Sequence, residues 1–302
     1  MVKFEEEFRK TRWSKKYKTG FYFFTPKSIQ ALITYGNFWG VDEIFREWLS
    51  GIETARDHFV VGFSIEEIVQ RLQMFKGDLP DDIVKQRLKL KDTGSWKVSE
   101  IRQKIKAKDL EKGFYPYAYR PFDVRWICYE PILIHRSRLP FMNNLKNENI
   151  ALLCMREVVI ESGFSHTYVL EKIFDRRFFL SNRGAPYFFP LYLYPNEPKI
   201  RQLGEQASKQ KRTPNFSEEF LQAVNEALGT EPTPGEIFYY IYAVLYSPTY
   251  RKRYDEFLKF DFPRIPLPED YEKFKKLSEL GKELVELHLL KHPALQELDS
   301  EI

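Results

Sequence analysis

Apolar residues change their spacing in stages along this chain, and each stage predicts a different kind of element. Up to about residue 110 the runs are short and mixed. Asp42 to Leu49 has apolar positions at helical spacing and predicts an amphipathic helix, whereas Phe59 to Phe63 predicts a short strand. Ser64 before Ile65-Glu66-Glu67 predicts a helix with Ser64 at its N-cap, and Ser99 through Leu110 predicts a third, strongly charged one. From about 114 to 195 the apolar residues gather into compact β-branched or aromatic runs bounded by Pro, Gly or Asn. Arg125–Tyr129, Ile150–Met155, Tyr168–Leu170 and Phe188–Tyr194 predict strands.

A polar stretch from Pro195 to Asn215 predicts a linker or long loop. Beyond it the spacing is helical. Thr233-Pro234-Gly235-Glu236 is a capping box with Pro at the first helical position, and Ile237 to Tyr246 is apolar on nearly every face, as in a helix buried among neighbours. Ser247-Pro248-Thr249 starts another helix by the same device. Tyr271, Phe274, Leu277, Leu280, Leu284 and Leu287 then mark a long amphipathic helix with these residues in the core. The pattern predicts an α+β fold in three stretches: mixed helix and strand over 1–110, a β-rich core over 111–200, and a C-terminal helical subdomain over 201–302.

Composition narrows this modestly. At 302 residues with 43% hydrophobic and 30% charged residues, the chain can bury one large core or two ordinary ones. The formal net charge of +4 permits an anionic partner without requiring one. Cys128 and Cys154 both lie in apolar runs and read as small core residues in a reducing compartment. No apolar run approaches about 18 residues, the length that spans a membrane, and the charged start Met1–Glu7 has no signal-peptide stretch; the expected location is cytoplasmic.

The residue chemistry changes the picture more. Upstream cations are mostly lysine, from Lys89 to Lys112. After Tyr119-Arg120-Pro121-Phe122-Asp123-Val124-Arg125-Trp126 they are almost all arginine: Arg136, Arg138, Arg156, Arg176, Arg177 and Arg183. Arginine presents a planar fork that grips a phosphate or the O6/N7 edge of guanine with two hydrogen bonds, and asparagine does the same for adenine. These arginines together with Asn182 are the candidate nucleic-acid-contacting residues, and Gly184 beside them permits close backbone approach. His135-Arg136-Ser137-Arg138 is either a phosphate clamp or an exposed basic turn. Phe174 to Ala185 is either a reading loop or a charged hairpin. Arg120, Asp123 and Arg125 read as structural, with an Arg120–Asp123 pair holding the start of the strand.

Most catalytic signatures are missing. No Asn/Asp-Pro-Pro-aromatic tetrapeptide for amine methylation occurs, no glycine-rich nucleotide loop follows a strand, and His58, His135, His166, His288 and His292 lack zinc spacing. A metal-dependent nuclease needs an acidic residue and a later Glu-x-Lys. Asp175 with Glu197-Pro198-Lys199 fits only loosely, because Pro198 occupies a strand position.

Several segments together carry a family resemblance. They are Gly51-Ile52-Glu53-Thr54-Ala55-Arg56-Asp57, Tyr119–Arg125, Ser181–Ala185 leading into Phe189–Tyr194, Ile237–Arg251, and Phe262-Pro263-Arg264-Ile265-Pro266-Leu267-Pro268. In these the chain resembles the C-terminal target-recognition (specificity) domain of large single-chain restriction–modification enzymes, the type ISP and type IIG-like adenine DNA methyltransferases. The resemblance runs from about residue 39 to 291. It implies sequence-specific binding of double-stranded DNA in partnership with a methyltransferase, and with nuclease and helicase domains or subunits. The methyl donor S-adenosylmethionine is implied for that methyltransferase part only, since its motifs are absent here, as after a split or shortening of the gene. Two other readings stay open: a stand-alone metal-dependent endonuclease using Asp175, Glu197 and Lys199, and a non-enzymatic remnant that binds a protein partner.

Overall fold

A computed structural model of the chain describes residues 29–110, 113–158, 164–179, 184–195 and 212–295. The first elements are short: α1 (Ile29–Gly36), β1 (Trp39–Gly40), α2 (Val41–Ile44), β2 (Leu49–Ser50), α3 (Asp57–Val60) and β3 (Val61–Gly62). The helix predicted over Asp42–Leu49 stops after Ile44. Phe45 is extended and bridges Phe216, and the backbone of Arg46 and Glu47 bonds to Asn215, so long-range pairing outweighs the local helical pattern. Likewise Phe59 and Val60 complete a helical turn, and only Val61–Gly62 continues as strand.

Three helices follow: α4 (Ile65–Lys76), α5 (Asp81–Arg87) and α6 (Val98–Ile105). Ser64 caps α4 by accepting from the Glu67 N–H at 3.3 Å, as its sequence predicts. Then come β4 (Phe114–Arg120), β5 (Asp123–Cys128), α7 (Leu139–Met142), β6 (Ala151–Met155), β7 (Thr167–Leu170), β8 (Ile173–Phe174), β9 (Pro186–Pro190) and β10 (Tyr192–Leu193). After β11 (Thr213–Pro214), which pairs with β10, the chain is mainly helical: α8 (Glu218–Leu228), α9 (Pro234–Tyr246), α10 (Pro248–Tyr254), the short β12 (Arg264–Ile265) and α11 (Tyr271–His288). The interior of the predicted linker, 196–211, lies outside the described residues.

Two four-stranded sheets organise the molecule. One has the order β2-β9-β6-β7 and is antiparallel throughout; the other has the order β3-β5-β4-β8, with β4 and β8 parallel. The first sheet is buried on both faces. Ala151, Leu153, Tyr168, Leu170 and Phe188 point into a core shared with the second sheet and α4–α6. Their neighbours Leu152, Cys154, Val169 and Phe189 point into a second core shared with α1, α2 and α8–α11. Alternate residues of one strand therefore serve two cores, which explains why these strands are apolar without interruption. Cys128 and Cys154 are both buried, and burial pushes each thiol up to about 12.

The C-terminal caps form as the sequence predicts. Thr233 accepts from the Glu236 N–H while the Glu236 carboxylate accepts from the Thr233 N–H at 2.8 Å, and Ser247 caps α10. Along α11 the buried line differs from the predicted one. Phe274, Ser278, Gly281 and Val285 face inward, whereas Tyr271 and Leu280 are exposed. The cause is a close crossing with α9: a Cβ on Gly281 would stand 1.9 Å from the Tyr239 carbonyl oxygen, so glycine is required at that point of the contact.

A candidate nucleic-acid interface

The site begins with Gly51. A Cβ there would lie 2.7 Å from the Phe174 ring and 2.8 Å from the Arg176 nitrogen, so glycine lets two segments touch. The next residues form a narrow ridge. The Ile52 N–H donates to the Phe174 carbonyl at 2.9 Å, and the Arg176 N–H donates back to the Ile52 carbonyl at 2.7 Å. On the other side Glu53 and Arg136 exchange both backbone hydrogen bonds, at 3.1 and 2.9 Å. Segments 52–54, 134–136 and 174–176 thus run side by side, and three stretches distant in sequence converge.

Their side chains converge as well. The Glu53 carboxylate lies 2.7 Å from the Arg176 guanidinium and 3.6 Å from that of Arg136. Arg177 is exposed beside them. Arg138 sits in a left-handed conformation at φ 57° and donates to Ser50 at 3.3 Å. Its Nε is buried and finds no acceptor among the described residues. Of the candidate DNA contacts, Arg136, Arg138, Arg176 and Arg177 are brought together here. Arg156 is tied elsewhere, to Asp261 at 3.0 Å in the C-terminal half, and Asn182 and Arg183 lie outside the described residues.

Behind the ridge is a buried support. Asp175 is 5% exposed and accepts from the Tyr117 hydroxyl and the Arg120 guanidinium, each at 2.9 Å, and from the Arg177 N–H at 2.8 Å. Burial pushes its carboxyl above the usual range, while these donors pull the other way. The predicted Arg120–Asp123 ion pair does not form. These two residues are backbone partners flanking the turn at Pro121-Phe122, but Arg120 reaches Asp175 and Asp123 pairs with Arg125 at 2.8 Å. The two-residue turn leaves Arg120 on the side of the buried acid, and the nearer Arg125 takes Asp123. Tyr119 lies between the two guanidiniums, at 3.9 and 4.0 Å, and its hydroxyl donates to Asp57 at 3.0 Å.

In the sequence Glu53 stands out only as part of the Gly51–Asp57 motif, and nothing there marks Tyr117. The signal for Glu53 was its placement two residues after Gly51, where a close approach carries it up to the arginines. Of the loose nuclease triad, Asp175 is engaged by all three hydrogen bonds above, and Glu197 and Lys199 lie outside the described residues. Among the described residues no group of three His, Cys, Asp or Glu side chains is placed to hold a metal, and no helix is long and apolar enough to cross a membrane.

Comparison with known proteins decides the family. Residues 43–301 match the family described as the Type ISP C-terminal specificity domain. The chain belongs to that family. The same architecture occurs in solved structures. A cryo-EM structure of a DrdV–DNA complex superimposes with a TM-score of 0.63 at 24% identity, over 83% of this chain and 25% of that one. The ATP-dependent type ISP restriction–modification enzyme LlaBIII bound to DNA gives 0.63 at 22% identity, over 84% and 17%. A nuclease-deletion mutant of the type ISP enzyme LlaGI, in complex with a DNA substrate mimic, gives 0.55 at 22%, over 84% and 19%. This type ISP specificity domain therefore spans a quarter or less of those chains. No curated protein matches it.

Proposed function

We propose that this specificity domain recognises a defined sequence in double-stranded DNA and directs an adenine-specific methyltransferase and endonuclease to it. The catalytic groups, and the S-adenosylmethionine they would use, belong to a domain or subunit outside this chain. Family membership over 43–301 is the observation that carries the reading, since the similar structures that share the fold are described as complexes with DNA or a DNA mimic.

The geometry gives the reading a physical form. Three backbone segments locked side by side bring Arg136, Arg138, Arg176 and Arg177 together at one ridge, backed by the buried Tyr117 and Asp175 and by Arg120, which bonds to Asp175. A rigid scaffold with charged loops at its edge is what base-edge reading requires, because bidentate contacts discriminate only when the fork is held in place. Arginines that touch phosphates set the register; those that reach base edges supply specificity.

Binding of the purified chain to a pool of random duplexes at two salt concentrations, followed by sequencing of the retained DNA, tests this. Enrichment of one short sequence that survives the higher salt is the expected result. Salt-sensitive retention without enrichment would limit the chain to a basic surface, and no retention at either salt would favour a protein-binding remnant.

A further inference from the structure

Many arginines of the described residues are committed to carboxylates, whereas one short loop carries three exposed cations that are not, and this cluster points to a second contact with DNA. Arg102, Arg120, Arg125, Arg136, Arg176 and Arg264 each hold a carboxylate. Arg87, Lys89 and Lys91, at the end of α5 and in the loop beyond, are exposed and have no ion pair among the described residues.

The neighbouring acid does not neutralise them. Asp92 is held by Lys85 at 2.7 Å and accepts from the Val98 N–H at 2.8 Å, where α6 begins. Those two bonds keep its pKa low, so it stays a carboxylate committed to α5 and α6. Lys89 adopts a left-handed conformation at φ 51° just after α5, a place where glycine or asparagine sits with less strain. The strain is accepted at a residue whose charge stays free.

The loop is also fixed in place. Thr93 and Trp96 close a tight hairpin, and Trp96 is buried beneath the Arg56 guanidinium at 3.8 Å. Its indole N–H donates to the Ile132 carbonyl at 3.0 Å, and Ile132 leads directly into His135 and Arg136. Lys91 is five positions along the chain from that anchor and Arg136 is four from Ile132, so the chain limits the separation of Lys91 and Arg136 to roughly 40 Å. That is little more than one turn of duplex, about 34 Å. Lys91 and the arginine ridge can therefore meet the same stretch of DNA, and Lys89 and Arg87 precede Lys91 by two and four positions.

We propose that Arg87, Lys89 and Lys91 grip the sugar–phosphate backbone beside the sequence that the ridge reads. This rests on the DNA-binding reading above and adds a second surface to it. Contacts of this kind carry no sequence information and release counterions, so each one steepens the dependence of binding on salt by about 0.9 in the log–log slope.

The test compares the full chain with the triple variant Arg87→Gln, Lys89→Asn, Lys91→Gln, and with the charge-preserving variant Arg87→Lys, Lys89→Arg, Lys91→Arg. Affinity for one duplex of 40 base pairs or longer is measured from about 50 to 200 mM salt. The neutral variant is expected to lose about two to three from the slope while selecting the same sequence, and the charge-preserving variant to keep the parent slope. An unchanged slope in a folded neutral variant that still binds overturns this inference alone. Failure of the parent chain to bind DNA overturns the DNA-binding reading, and this inference falls with it.

Discussion

Replacing Glu53 by glutamine tests whether the arginine ridge faces DNA. The carboxylate sits 2.7 Å from Arg176 and 3.6 Å from Arg136, with all three side chains partly solvent-exposed. Ion pairs of that exposure contribute about 0.2–1 kcal/mol each, so losing both should weaken folding by no more than about 2 kcal/mol, visible as a small shift of the urea midpoint. The effect on binding has the opposite sign and is larger. A guanidinium that grips a phosphate while still held by Glu53 places the two anions roughly 7 Å apart, and their repulsion is about 0.6 kcal/mol at the dielectric of water and about 2 kcal/mol at an effective value near 20. Removing the carboxylate should raise affinity for non-specific duplex by a factor of about 3 to 30 at low salt, and the gain should shrink as salt screens it. Fluorescence anisotropy with a labelled random duplex at two salt concentrations reads this directly. Equal or weaker binding by a folded Glu53→Gln protein would refute the placement of Arg136 and Arg176 against DNA.

Further outcomes follow from the packing. Gly51→Ala brings a methyl within 2.7 Å of Phe174 and 2.8 Å of the Arg176 backbone; denaturant unfolding should show a loss of about 1–3 kcal/mol, and DNA binding should fall with it as the ridge separates. Gly281→Ala would gain up to about 1 kcal/mol if helix propensity decided, but its Cβ meets the Tyr239 carbonyl at 1.9 Å, so thermal unfolding should show a clear net loss. Lys275 and the Thr233 N–H hold the Glu236 carboxyl down at about 2. Because that folded value lies below the ordinary 4.5, this contribution to stability is complete above about pH 4.5 and is lost as pH falls toward 2. Glu236→Gln should therefore lower stability at neutral pH and flatten its decline over that window, as measured by urea unfolding at a series of pH values.

What the sequence reveals depends on whether one side or both sides of an element are buried. The helix launched by Thr233-Pro234-Gly235-Glu236 is legible because its cap is local and its body is buried all round. Strands β6 and β7 are legible as compact apolar runs, but not as members of one sheet between two cores, because burial on both faces erases the alternation that would assign each residue to a side. Strand β4 escapes prediction because Pro116 lies inside it; the proline is tolerated where β8 does not reach, since β8 pairs only with Tyr117 and Ala118. Asp42–Leu49 misleads because Asn215, far along the chain, takes the backbone bonds a helix would have used.

The candidate site shows the same limit in its side chains. Type and order identify arginines suited to anions, yet they cannot say which arginines are already held. Arg120 and Arg125 flank one turn and look equivalent in sequence. One is committed to the buried Asp175 and the other to Asp123, so neither offers a free fork. Arg136 and Arg176 share a single carboxylate, and that changes their chemistry. Two guanidiniums around one carboxylate keep net positive charge while being held in orientation, which limits indiscriminate attraction and preserves directed hydrogen bonds. The exposed Arg87, Lys89 and Lys91 have the converse properties, with free charge and flexible side chains. Recognition needs both kinds of cation, the restrained ones to discriminate and the free ones to attract. Adding charge at the ridge should therefore raise affinity at the expense of selectivity, whereas removing it from the lysine loop should lower affinity and leave selectivity intact.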